Sequence, residues 1–359
     1  GYSVIASEVS KIAVAVPLLL IFRMGITGVI GSMLVAYFAQ AAVSSYMVRD
    51  ASADGVSASV GARWLRMSWL PAVITLPYVI GIADTFVASL AAGGTNITGY
   101  YQAAFSVASI AGYSVYLASA LYPLLLKGGS DDLPSITLDL SLLFGIPMAF
   151  IAAVLARPIL FFLKSQYVVV SDALAIMAFA AVVVAASGIV DQTLLGRERV
   201  DTEASANLKR YLASDLIFVP AVNIVYAVVY VASIYFTLVI GIAAQLPIAR
   251  LVEYWAVAQL VTSVVFLMVK VRRVRRQTKL TLLRSTWGYM AGSVIMSVAA
   301  YALSSFLNYG AQTLVFGLEL IAVGLIALAA YGSFLFAVDH KFRELVHSVI
   351  TSAGLRRGS

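Results

Sequence analysis

Apolar residues in this chain come in long unbroken runs, separated by short polar stretches. They neither alternate, as in a half-buried strand, nor form the one-sided stripe of a soluble helix. A helix that crosses a bilayer needs about 20 mostly apolar residues. Ten runs approach that length: residues 4–22, 26–47, 70–92, 99–126, 136–156 and 172–190, a seventh from Leu216, an eighth ending near Val269, then 285–307 and 312–338. Breaker signals lie between them, among them Arg23-Met24-Gly25, Gly93-Gly94-Thr95-Asn96, a Gly/Ser/Asp/Pro stretch over 127–134 and Asn308-Tyr309-Gly310. Residues 49–66 form a polar linker, and residues 191–210 a charged segment. A short amphipathic tail closes the chain.

Residues 216–249 carry no charge. The stretch is long for one span and short for two. We read it as one long helix and a loop, with the eighth span starting near Pro247. The basic residues test that reading. With the Gly1 end cytoplasmic, 20 of the 24 lysines and arginines fall on the inner side, including Lys11, Lys127 and the run from Lys270 to Arg276. Arg23, Arg157, Lys164 and Arg250 fall outside. Lysine and arginine favour cytoplasmic loops, so the asymmetry supports ten spans and that orientation. One helix more or fewer in the middle would place the 270–276 run outside.

Composition agrees. Of 359 residues, 62% are hydrophobic and 11% charged, against about 25% charged in an ordinary soluble domain. The mean hydropathy is +0.95. Too few polar side chains exist to cover a water-soluble surface. A soluble enzyme, a disordered chain and a nucleic-acid-binding domain are excluded, and the net charge of +7 reflects the basic loops instead. Cysteine is absent, which removes disulfides and thiolate chemistry. Both histidines, His340 and His347, follow the last apolar run, so no histidine site lies in the membrane. Enzyme signatures such as HExxH, GxSxG or a P-loop are missing, and no cofactor is expected. The chain starts at Gly1 on an apolar stretch without a signal-peptide pattern; we expect a piece cut at its N-terminus.

Charges inside the spans need a reason, because each costs at least about 2.5–3.5 kcal/mol at the bilayer centre. Asp84 shares a helical stripe with Pro77, Gly81 and Ala88, so it should face the bundle. It either lines a substrate or ion path or locks its helix by a hydrogen bond. Glu319, within the tenth span, carries the same two readings, with the structural one favoured. Asn223 lies mid-span near Pro220, at a depth where amides bond across helices. Arg23, in the turn between the first two spans, either binds an anionic head group or snorkels to lipid phosphates. Glu8/Lys11 and Arg250/Glu253 have the spacing of helix-surface ion pairs. Asp172 and Asp215 mark helix starts. Asp131-Asp132 reads as a solvated loop rather than a metal site. The 270–276 run either contacts anionic lipids or only sets topology. Asn96-Ile97-Thr98 matches a glycosylation pattern with a high chance rate.

Several stretches together resemble a known family. Ile82-Ala-Asp-Thr-Phe-Val87, Gly99-Tyr-Tyr-Gln-Ala-Ala104 and Leu121-Tyr-Pro123 are similar to the seventh and eighth helices of Wzx-type oligosaccharide flippases, in the multidrug/oligosaccharidyl-lipid/polysaccharide (MOP) superfamily. Leu194-Leu-Gly-Arg-Glu-Arg-Val200 resembles the segment after the tenth helix of that family. Arg23 to Gly31 resembles its turn between helices five and six, and Asp339 to Leu345 its C-terminal end. The resemblance implies an all-α polytopic membrane bundle, spans five to fourteen of a fourteen-helix member, with the N-terminal lobe mostly missing. Residues 1–48 would end that lobe, 49–66 would link the lobes, 67–276 would form a six-helix C-terminal lobe, and 277–359 would add two helices and a cytoplasmic tail. It further implies a non-enzymatic transporter that moves a lipid-linked, negatively charged oligosaccharide pyrophosphate across the cell membrane by alternating access. Glycan-assembly enzymes would be its partners, and Asp84, Arg23, Asn223, Tyr100, Tyr101 and Glu319 its path residues. The third to tenth spans carry no deep lysine or arginine by this reading, so a cationic lining would belong to the missing helices. A cation-coupled drug antiporter of the same superfamily, a polytopic glycosyltransferase or polymerase, and a structural subunit remain as alternatives.

Overall fold

The structure is a computed structural model that describes residues 2–49, 62, 65, 68–118, 121–198, 210, 213–278, 280, 285–310 and 312–355. All regular structure among these is helical. Eight helices are long and apolar enough to cross a membrane, so the chain is a multi-pass membrane protein. The sequence predicts ten spans. The two outside the eight are helices as well: α1 (Tyr2–Leu20) and α11 (Ser285–Ser304). α11 falls short because it is diluted by Ser, Thr, Gly and Tyr.

The chain divides into two compact units, residues 1–72 and 73–359. In the first, α1 packs on α2 (Gly25–Val48). Gly28, Ser32 and Ala36 are spaced four apart on α2, and all three are buried. Small residues at that spacing let two membrane helices approach closely. A Cβ at Gly28 would meet the Leu18 and Met24 Cβ atoms at 3.2 Å. Arg23, in the turn, adopts φ +52°, the left-handed region that most side chains avoid.

The second unit begins within α3 (Trp69–Ala91) and continues through α4 (Asn96–Gly112), α5 (Leu121–Leu126), α6 (Leu133–Val154), α7 (Ala156–Leu163), α8 (Ser171–Arg197), α9 (Asp215–Ala243) and α10 (Ile248–Val274). After α11 come α12 (Thr313–Val338) and α13 (His340–Leu355). The uncharged 216–249 stretch is one long helix and a turn, as the sequence predicts, and Pro247 caps α10. The fourth span is one candidate crossing, Asn96–Leu126, but changes helix type within it: α4 gives way to a 3-10 turn over Tyr113–Ala118 before α5. Between the fifth and sixth spans lie α7 and a 3-10 turn over Ser165–Val170. Arg157 and Lys164 hide that segment from a search for long apolar runs.

α8 is central, flanked by α10, α6 and α4. Its buried face is mostly small: Ala173, Ala178, Ala180 and Ala185. Helices meeting such a face come close enough for dispersion to hold them together, since apolar burial gives no advantage over lipid tails. One apolar cluster joins α4, α8, α9 and α10 around Tyr101, Met177, Ile234 and Trp255. A second joins α6, α11 and α12 around Leu143, Met296 and Leu335. The Tyr331 hydroxyl ties this second cluster by donating to the Leu143 carbonyl at 2.8 Å.

Candidate functional site

Pro77, Gly81 and Asp84 line a cavity of about 460 Å³ between α3, α4, α9 and α10. Ala88 continues their stripe into the apolar cluster, fully buried. The four residues that the sequence places on one face of the third span therefore all face inward. The outer face of α3 is apolar: Val79, Phe86 and Leu90 are each more than half exposed.

Asp84 is 9% exposed. The backbone N–H of Thr85 donates to one of its carboxylate oxygens, Oδ1. The Tyr230 hydroxyl donates to the other, Oδ2, at 2.9 Å. Tyr230 is in turn met by Trp255 Nε1 at 3.1 Å and by the Tyr101 hydroxyl at 3.3 Å. The direction of this chain follows from donor capacity. An indole N–H only donates, and the single Tyr230 proton goes to the carboxylate. Tyr101 must then donate to Tyr230. Rings reinforce the arrangement: Tyr101 stacks on Trp255 with centroids 3.7 Å apart. The outcome is a carboxylate held by neutral donors on one side and open to a cavity on the other. Gln102, Asn223, Tyr226 and Gln259 add amides and a phenol to the lining.

A second cavity, about 170 Å³, shares Asn223 and Tyr226 with the first. Its wall holds an ion pair, Lys270 to Asp191 Oδ2 at 2.8 Å, with the lysine 4% and the aspartate 18% exposed. Lys270 also donates to Ser187 Oγ at 2.7 Å, and Asn223 Nδ2 donates to Asp191 Oδ2 at 3.1 Å. This corrects two expectations. Asp191 and Lys270 are not loop residues but lie within α8 and α10, both longer than their apolar runs. The spans after the second do carry a buried lysine. Neutralisation of each charge by the other lets both helices continue past the point where a charge normally ends a span.

The remaining expectations separate. Asn223 bonds across helices, as its depth predicts. Tyr101 belongs to the Asp84 network, whereas Tyr100 turns to Tyr167, edge to face at 5.6 Å, and does not line the cavity. Glu319 accepts the Asn308 backbone N–H at 3.0 Å and so fixes the turn before α12, the structural role that the sequence favours. Arg23 is exposed and belongs to the 1–72 unit. Glu8–Lys11 and Arg250–Glu253 form the short-range pairs their spacing predicts. Asp131 and Asp132 are exposed, as the sequence predicts, and Asp131 also meets Arg197 at 2.6 Å. In the basic run, Arg273 pairs with Asp215, which leaves Arg272, Arg275 and Arg276 exposed. Arg63, Arg66 and most of the 49–66 linker lie outside the described residues.

Sequence reasoning also missed the burial of Asp139. It accepts from Ser285 Oγ at 2.7 Å and Tyr289 Oη at 3.0 Å, binding α6 to α11. Among the described residues no cluster of His, Asp or Glu has the makings of a metal site. Comparison with family models, with curated proteins and with solved structures returns no match.

Proposed function

We propose that this protein moves a lipid-linked oligosaccharide across the membrane by alternating access, with the sugar portion passing through the Asp84 cavity. The observation that carries this reading is the lining itself. A cavity of about 460 Å³ between apolar spanning helices presents a carboxylate, three amides and several phenols. Its volume is in the range of ligand pockets, which run from about 300 to 1,000 Å³. Polar groups at that depth are costly and mark a solute path by default. Hydroxyl-rich solutes match them, since every sugar hydroxyl both donates and accepts. The apolar outer face of α3 beside the cavity is compatible with a lipid tail that stays in hydrocarbon while the head group crosses.

The resemblance of residues 82–87 and 99–104 to Wzx-type flippases supports the same reading, and the basic bias of the loops would place the Gly1 end, linker and tail on the cytoplasmic side. A second reading, a cation-coupled exporter of the same superfamily, is favoured by one feature. Asp84 has hydroxyl and amide donors for partners, as a carboxylate that takes up a cation would.

Asp84→Asn in the intact protein tests the proposal. Export of the lipid-linked glycan should fall at least tenfold while membrane abundance is unchanged. Wild-type export in that variant would reduce Asp84 to a structural role. Export that follows an imposed cation gradient, with a drug-like solute in place of the glycan, would favour the second reading.

A further inference from the structure

The lining of the Asp84 cavity restricts the chemistry of what enters it. Among the described residues that line it, none is a lysine, arginine or histidine. Asp84 is the one carboxylic acid among the described lining residues, and its partners Tyr230 and Thr85 are neutral. The nearest buried cation, Lys270, belongs to the adjoining cavity and is matched by Asp191. Nothing within the cavity cancels the negative charge of Asp84. In surroundings of low dielectric, charges act on one another far more strongly than in water.

The other lining groups are acceptors and donors without net charge. Gln259 carries a buried side-chain carbonyl oxygen that has no hydrogen-bond partner among the described residues. A buried acceptor left unpaired is costly, so a solute hydroxyl or amide N–H that reaches it is favoured. Phe105 and Tyr226 add aromatic rings to the lining, apolar surface that suits the C–H groups of a sugar ring.

We infer that this cavity selects neutral or amino-bearing sugar units and rejects acidic ones, with Asp84 as the specificity-determining residue. The inference rests on the transport reading above, and narrows it to a class of glycan. Neutral units use the amides and the carboxylate as hydrogen-bond acceptors. An amino sugar adds a cation that Asp84 attracts. A uronic acid brings a second carboxylate into a space with no cation to receive it.

Saturation-transfer NMR on the full chain in nanodiscs tests this, with methyl β-glucoside, glucosamine and glucuronic acid as probes at pH 7. The expected order is glucosamine, then the glucoside, with glucuronic acid at least tenfold weaker than the glucoside. Asp84→Asn should bring glucuronic acid to within threefold of the glucoside and remove the advantage of glucosamine. The wild-type order decides the matter even where the variant does not fold. Equal binding of all three, preference for glucuronic acid, or no binding of any would overturn the inference. None of these touches the export result for Asp84→Asn in cells, so failure of the selectivity and failure of the transport reading are told apart.

Discussion

Two buried aspartates lie in adjoining cavities and are handled in opposite ways. Asp191 is neutralised by Lys270 from a neighbouring helix, with Asn223 on the same carboxylate oxygen and Ser187 on the lysine, while its Oδ1 has no partner among the described residues. Asp84 has only neutral donors and faces a larger cavity. The first is a balanced pair that lets two helices carry charge; the second keeps its charge available. A buried charge is tolerated either by internal compensation or by access to a polar space. The contrast teaches that the group without a counter-ion keeps its charge available to a solute.

Breaking the balanced pair should have the largest effect. Lys270→Ala leaves Asp191 buried without its counter-ion, and removal of one partner from such a pair costs about 3–5 kcal/mol. Denaturant unfolding in detergent should show that loss, and the exchanged pair Asp191→Lys/Lys270→Asp should recover part of it. Unchanged stability in Lys270→Ala would mean that the pair is solvated rather than buried. Asp139 sharpens the comparison as an acid satisfied on both oxygens by hydroxyls. Asp139→Ala strands Ser285 and Tyr289, for a loss of about 1–3 kcal/mol by the same measurement. At the small end, Lys11→Ala removes an exposed pair on α1 and should stay within about 0.5 kcal/mol of wild type.

The sequence makes Asp84 legible because a single charge stands deep in an apolar run. Pro77, Gly81 and Ala88 share its face, and helical spacing alone then turns it inward. Asp191, Lys270 and Asp139 carry no such signal. Each falls near the end of an apolar run, where a charge reads as loop or interface. Only the lateral registration of α8 against α10, and of α6 against α11, identifies them as buried. Within one helix a trace exists: Ser187 and Asp191 are four apart and both reach Lys270. Tyr230 and Trp255 were equally hidden, since an aromatic residue in a membrane helix is ordinary until its hydroxyl or indole N–H meets a partner. The long α9 was legible from the absence of charge, and Pro247 from its power to begin a helix. The break after Gly112 was not, because no proline or charge announces it.

Passage of a polar solute through the Asp84 cavity requires that the cavity be open to water within the membrane. These 359 residues contain no cysteine, so single cysteines placed in them report directly. Gly81 lines the cavity, and Gly324 lies in the middle of α12; a Cβ meets nothing within 4 Å at either. Both substitutions therefore fit, and only the surroundings differ. Thiol reagents react with the thiolate, which needs a polar environment to form. With a membrane-impermeant maleimide on intact membranes, we predict that Gly81→Cys labels and Gly324→Cys does not. Equal labelling of the two, or labelling of Gly324→Cys alone, would contradict a hydrated path at Asp84.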